Sequence, residues 1–274
     1  PVFCIERSNG VNAVFGLIAM AFDAGARTAS TVNFLNLPFS GLDLDGALDA
    51  ISVRASLDLP FAYVATPNVD HVVCLANEPS RRTLYDHAWL LLNDSRVLQG
   101  LARRAKIDLP LASGSDMAEH LFDTVIDKNE PVTIIGGDRE SIEQLKRVYG
   151  LRDVRWHEPP MNLKQKPGAV VRAAAFAAAQ PSRFTFICVG APQQEMIAYA
   201  IAQYGDARGV GLCVGAALHF LSGSAKRAPK WMQGLGLEWL HRLASEPARM
   251  WKRYLVTGPR VFSLFAEWRA SMAA

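Results

Sequence analysis

The chain reads as an α/β fold, a mostly parallel sheet with helices on both faces. Two observations predict this. Short apolar runs alternate with segments of helical spacing through most of the 274 residues, the pattern of a sheet whose strands are joined by crossover helices. Three of the runs end in glycine, at Gly136-Gly137, Gly190 and Gly215. Glycine there suits a sharp turn from a strand into the next helix.

Taken in order, the run at 32–36 predicts a short strand, and 42–51 has helical apolar spacing. Phe61 to Ala65 is a buried-strand pattern ending in Thr66-Pro67-Asn68, with a helix starting near Asp70. Trp89 to Leu92 is a second short strand; it ends in Asn93-Asp94-Ser95 and a helix follows to about Arg104. Residues 115–127 form a helix, N-capped by Ser115 or Asp116. Val132 to Gly137 is a strand, 141–149 a helix, and Val154 to His157 a strand before a rigid Pro-Pro loop. An Ala-rich helix covers 168–179. Phe184 to Val189 is a strand, and the helix after it opens at Gly190-Ala-Pro-Gln-Gln-Glu195. Val210 to Val214 is the last strand.

Half of the residues are apolar and a fifth are charged, which suits a large core. The four cysteines are widely spaced with no CxxC pair, so neither a zinc site nor a disulfide framework is expected. No apolar run reaches the length of a membrane span. Ala13 to Phe22 is apolar but short, and residues 1–27 are expected to form a packed or interfacial helical segment. The net charge of +3 is too small to suggest nucleic acid as a partner. The charge is unevenly placed, however. From Lys226 to Ala274 nine Lys/Arg stand against three Asp/Glu, and four of the six tryptophans lie there. We therefore divide the chain into a core, 1–225, and a basic, Trp-rich helical appendage, 226–274, suited to an anionic membrane surface.

Ligands of open α/β sheets bind outside the carboxyl ends of the strands. Gly136, Gly137, Gly190 and Gly215 are thus candidates for a nucleotide's phosphates, although any βα turn tolerates glycine. The GxGxxG fingerprint is absent, which argues against NAD. Asp94 sits at a strand end, where a general base belongs, or it caps the next helix. Thr66 and Asn68 could hold a sugar or phosphate, or simply form a turn. Gln193, Gln194 and Glu195 could hydrogen-bond a substrate, or be a solvated first helical turn. His157 and His219 read as structural. In the appendage, Arg249, Lys252 and Arg253 share a helical face and Arg242 ends the preceding helix. Such a cluster could neutralise a leaving diphosphate, or be a solvated basic face beside a core-packing aromatic stripe.

Several of these pieces are specific together: Thr66-Pro-Asn68, the strand-end Asp94, Gly114-Ser-Asp116, Gly136-Gly137, Gly190-Ala-Pro-x-Gln-Glu195, and the block Arg227-Ala-Pro-Lys-Trp-Met…Glu238-Trp-Leu…Arg242…Glu246-Pro…Arg249…Trp251. In these the chain resembles the WecG/TagA/CpsF glycosyltransferases, glycosyltransferase family 26. The resemblance implies a Rossmann-like core of the GT-E type and a metal-independent, inverting transferase without a cofactor. It would move a sugar from a UDP-sugar to a polyprenyl-diphosphate-linked sugar, as a peripheral protein at the cytoplasmic face of the bacterial inner membrane. The implied base is Asp94, with Thr66, Asn68 and Gln194 at the site and Arg242, Arg249 and Lys252 closing over the diphosphate. A homo-oligomer is compatible with it. Asp94-Ser-Arg-Val97 and His157-x-Pro-Pro-Met161 resemble the xanthan-type branch, which implies β-1,4-glucose from UDP-glucose in exopolysaccharide assembly. A UDP-N-acetylmannosamine (or uronate) transferase, or a non-catalytic nucleotide-binding membrane module, are the alternatives.

Overall fold

The computed structural model describes residues 30–225, 227–234 and 236–273, without the side chains of Lys164, Lys230, Gln233, Arg249 and Ala273. The segment 1–27 expected to be helical lies outside the described residues. The first described element is a hairpin, β1 (Thr31–Phe34) against β2 (Leu37–Ser40), antiparallel with Phe34 opposite Leu37. The single strand expected at 32–36 is therefore folded back on itself. Its turn residues, Leu35 and Asn36, take φ of 49° and 60°. This is the paired left-handed geometry that matches strand twist in a two-residue turn, and it usually draws Asn-Gly.

Helix α1 (Leu44–Ala55) follows, capped by Asp43, which accepts from the Gly46 N–H. Next come β3 (Ala62–Ala65), α2 (Val69–Asn77), the short α3 (Thr83–Asp86), β4 (Leu90–Leu91) and α4 (Arg96–Arg104). Helix α5 (Gly114–His120) runs into a π turn, Leu121–Val125. Neither Ser115 nor Asp116 caps it: Ser113 holds the cap position, and the Asp116 carboxylate is drawn away to Arg227, 2.6 Å distant. Strand β5 (Pro131–Gly136), α6 (Arg139–Tyr149), β6 (Asp153–His157), α7 (Pro167–Ala178), β7 (Phe184–Cys188), α8 (Gln193–Ala202) and β8 (Val210–Cys213) complete the alternation.

The six longer-range strands form one parallel sheet in the order β4-β3-β8-β7-β5-β6. Successive residues point to opposite faces, and both faces are covered, as a parallel sheet requires. Val64, Ile134, Phe186 and Leu212 pack with α1, α5 and α6. Tyr63, Ile135, Ile187 and Cys213 pack with α7 and α8. Cys74, Cys188 and Cys213 are free thiols, and burial pushes Cys188 up to about 12.

Beyond β8 the chain is helical: α9 (Ala217–Leu221), α10 (Lys230–Gly234), α11 (Glu238–Ser245), α12 (Pro247–Trp251), a π turn at Lys252–Thr257, and α13 (Arg260–Ala273). The last helix does not follow the rest of the appendage. Val261 is fully buried and Trp268 is 9% exposed, in one cluster with Phe34, Leu37, Phe39 and Val73. Trp268 meets Phe34 edge-on, ring centroids 5.2 Å apart, and Arg260 hydrogen-bonds Asn77 at the end of α2. Packing thus ties α13 to the hairpin and α2, whereas a division at residue 226 would separate them. Among the described residues no helix is long and apolar enough to cross a membrane.

Candidate active site

A cavity of about 870 Å³ opens where β3, β4, β7 and β8 end and where α11, α12 and the second π turn lie over them. Its size is that of a small-molecule site. Thr66, Asn68, Asp94, Gly190, Gln194, Gly215 and Arg242 all line it. The glycine turn after β5 does not. A side chain at Gly136 would meet the Cys188 carbonyl at 2.7 Å, and one at Gly137 the Leu218 Cδ2 at 2.2 Å. Those glycines admit close packing of the neighbouring strand and α9. Lys252 is exposed and outside the cavity wall, and the Arg249 side chain lies outside the described residues.

Asp94 is placed by β4 and the turn after it. Its N–H donates to the Pro67 carbonyl at 3.0 Å, which joins the ends of β3 and β4. The cap of α4 is its neighbour: Ser95 Oγ accepts from the Leu98 N–H at 3.3 Å, and Asn93 Oδ1 accepts from the Ser95 N–H. The Asp94 carboxylate is thereby left to face the cavity. Burial pushes it up to about 6, against a Ser113 hydrogen bond and the His71 and Arg242 charges, which hold it down; Glu238 adds to the rise. A carboxylate with that value is mostly ionised at neutral pH and can accept a proton.

Thr66 donates from Oγ1 to the Cys213 carbonyl, 3.1 Å away, so it joins the ends of β3 and β8. Asn68 caps α2 by accepting from the Asp70 N–H, and its own N–H is received by His71 Nδ1 at 3.2 Å. His71 fills the third helical position, where a capping box usually has Glu or Gln; that spacing was the available signal for it.

Gln193, Gln194 and Glu195 are not a solvated turn. All three are buried, Glu195 completely. Gln194 Oε1 accepts from the Gly215 N–H at 2.9 Å, and its Nε2 donates to Glu195 Oε1 at 2.8 Å. The triplet is enclosed because α8 starts where β7 and β8 both end.

The overlying helices bring cations to the cavity. Arg242 is held over the Phe220 ring, 5.6 Å from its centroid, and has no carboxylate partner among the described residues. Arg253, in the second π turn, reaches the start of α2, with Nε 3.5 Å from Asp70 Oδ2 and Nη2 3.5 Å from Asn68 Oδ1. Of Lys252 and Arg253, the two on the basic face whose side chains are described, Arg253 lines the cavity. Arg227 is instead occupied by Asp116 at 2.6 Å and Glu119 at 2.9 Å, which fastens the overlying segment to α5. Among the described residues no three His, Cys, Asp or Glu side chains cluster to hold a metal ion. The arrangement offers one carboxylate able to take a proton and fixed cations facing it, the parts of a group transfer with an anionic leaving group.

The model of the glycosyl transferase WecG/TagA/CpsF family matches residues 32–273.

Proposed function

The chain belongs to the WecG/TagA/CpsF glycosyltransferases, and on that premise we propose that it transfers glucose from UDP-glucose to a polyprenyl-diphosphate-linked sugar, with inversion and without a metal. One observation supports this best: Asp94, relieved of any capping duty by Ser95, shares a cavity with Arg242, which forms no ion pair with a carboxylate among the described residues. Asp94 takes the proton of the acceptor hydroxyl as that oxygen bonds to the anomeric carbon. The bond from that carbon to UDP breaks on the opposite side, and UDP carries the electron pair away. Arg242 and Arg253, with Arg249 and Lys252 as further candidates, offset the charge that builds on the diphosphate. The turns at Gly190 and Gly215 admit close approach of the donor.

Membrane attachment is part of the same proposal. Trp231 is 64% and Trp251 51% exposed, and Leu240, Leu255, Val256 and Phe262 are exposed in the same stretch of the chain. An apolar surface among basic residues suits the interface of an anionic bilayer. The proposed setting is peripheral, at the inner membrane's cytoplasmic face, in exopolysaccharide assembly.

The test is a donor panel with the full chain, UDP-glucose against UDP-N-acetylmannosamine, and a synthetic glucosyl-diphospholipid acceptor. We expect UDP release with UDP-glucose and a β-1,4 product by NMR. Release only with UDP-N-acetylmannosamine would move the chain to that donor class, and no release with either would favour a non-catalytic module. The pH profile gives a second check. If Asp94 must be ionised, kcat/KM should fall about tenfold per unit below pH 6 and level off above it. A profile flat from pH 5 to 8 would contradict an Asp94 base.

A further inference from the structure

Glu195 is completely buried, at a place in a helix where acidic residues usually face water and favour the helix dipole. A carboxylate taken out of water is unfavourable unless its oxygens are hydrogen-bonded. Here the satisfaction is partial. Oε1 accepts from Gln194 Nε2 at 2.8 Å and lies 3.4 Å from His71 Nε2, while Oε2 has no hydrogen-bond partner among the described residues. An apolar side chain of similar volume would fill this space at least as well for packing alone. The carboxylate therefore calls for a reason other than stability.

Its neighbours supply one. The two ends of a Gln amide have nearly the same shape and differ in that one donates and the other accepts. With Nε2 drawn to Glu195, and more weakly to the Cys213 carbonyl at 3.4 Å, Gln194 turns Oε1 to the Gly215 N–H. On its other side Glu195 faces His71, which is 6% exposed. The ring's Nδ1 lies 3.2 Å from the Asn68 nitrogen and 2.9 Å from Asn68 Oδ1. A carboxylate beside Nε2 favours a hydrogen on that nitrogen. Asn68 in turn caps α2, two residues after Thr66. One buried carboxylate thus stands between the turn after β3 and the turn after β8, the two walls of the cavity.

We propose that Glu195 is a positioning residue for the transfer: it fixes the Gln194 amide and, through His71, the start of α2, so that the substrate-facing groups of both walls are held in register. This rests on the glycosyltransferase reading. It assigns Glu195 no contact with substrate and no proton transfer.

The experiment is a double-mutant cycle in the full chain with Glu195→Met, Gln194→Ala and the double variant, alongside Glu195→Gln. For each, kcat, KM and the thermal midpoint are measured. Met matches Glu in length but has no carboxylate to accept the bond. We expect Glu195→Met to lower kcat/KM by about tenfold or more, and the double variant to lose clearly less than the product of the two single losses, because residues acting through one another are not additive. Glu195→Gln should recover to within about threefold of wild type, since its carbonyl still accepts from Gln194. A merely structural role would give a different pattern: the losses would multiply, and they would follow the thermal midpoint. Multiplying losses, a fully active Glu195→Met, or a Glu195→Gln as impaired as Gln194→Ala would each overturn the proposal. Should Glu195→Met not fold, the Glu195→Gln comparison decides alone. Wild-type protein inactive with every donor would count against the glycosyltransferase reading instead.

Discussion

Replacing Asp94 with Asn should cut turnover by about 10²-fold or more while leaving UDP binding largely intact. The same variant should be more stable at pH 7.5. Burial raises the Asp94 carboxyl from 3.8 to about 6 in the folded chain, so between those values the folded state holds the proton more tightly than the unfolded state. Stability then declines as pH rises through that window and stays reduced above it. Asn carries no charge and escapes the decline. With solvent at the open cavity weakening the effect, the gain at pH 7.5 is on the order of 1 kcal/mol. It should largely vanish at pH 3.5, below both values, where Asp94 is mostly protonated in either state. Calorimetric melting at the two pH values, beside a UDP-release assay, reads both effects. Near-normal turnover would remove Asp94 from the role of base.

Trp268→Ala should destabilise the whole chain by about 3–5 kcal/mol, the usual range for a large aromatic lost from a core. Its ring packs against Phe34 and Phe265 and is shielded from water. Trp251→Ala offers the contrast. That ring is half exposed, so its loss should change stability by no more than about 0.5 kcal/mol and instead weaken binding to anionic liposomes. Denaturant titrations and liposome sedimentation of the two variants separate the effects. Truncation at residue 226 would mix them, because it removes α13 from the core together with the exposed face. A Trp268→Ala protein as stable as wild type would show that α13 is dispensable to the fold.

Both contrasts mark where the sequence was readable. The strands of the parallel sheet were legible because each is a short apolar run closed by glycine or a polar turn. The same logic located Asp94, Thr66 and Gln194, since a strand end defines a place in space. Four features were not legible for physical reasons. The β1–β2 turn uses Leu35 and Asn36 rather than glycine, so its reversal carries no composition signal. Gln193 to Glu195 look like a wet helical start, and only the meeting of two strand ends encloses them. On the basic face, adjacent positions differ by 100° around a helix, and charge alone does not choose between Lys252 and Arg253. Trp268 was hidden by its company: inside a basic, Trp-rich stretch, a core residue and an interfacial one have the same sidedness.

The partnership of Phe34 with Trp268 also bears on how the chain is made. The hairpin leaves the ribosome well before the helix that covers it, with the whole parallel sheet synthesised between them. Until then Phe34, Leu37 and Phe39 have no α13 to shield them, and the closing contacts span nearly the whole described chain. Contacts of such long sequence separation form slowly and leave apolar surface open to association. Nascent chains stalled before residue 260 should therefore be held by chaperones, and a bulky fusion placed directly after α13 should lower the yield of folded protein.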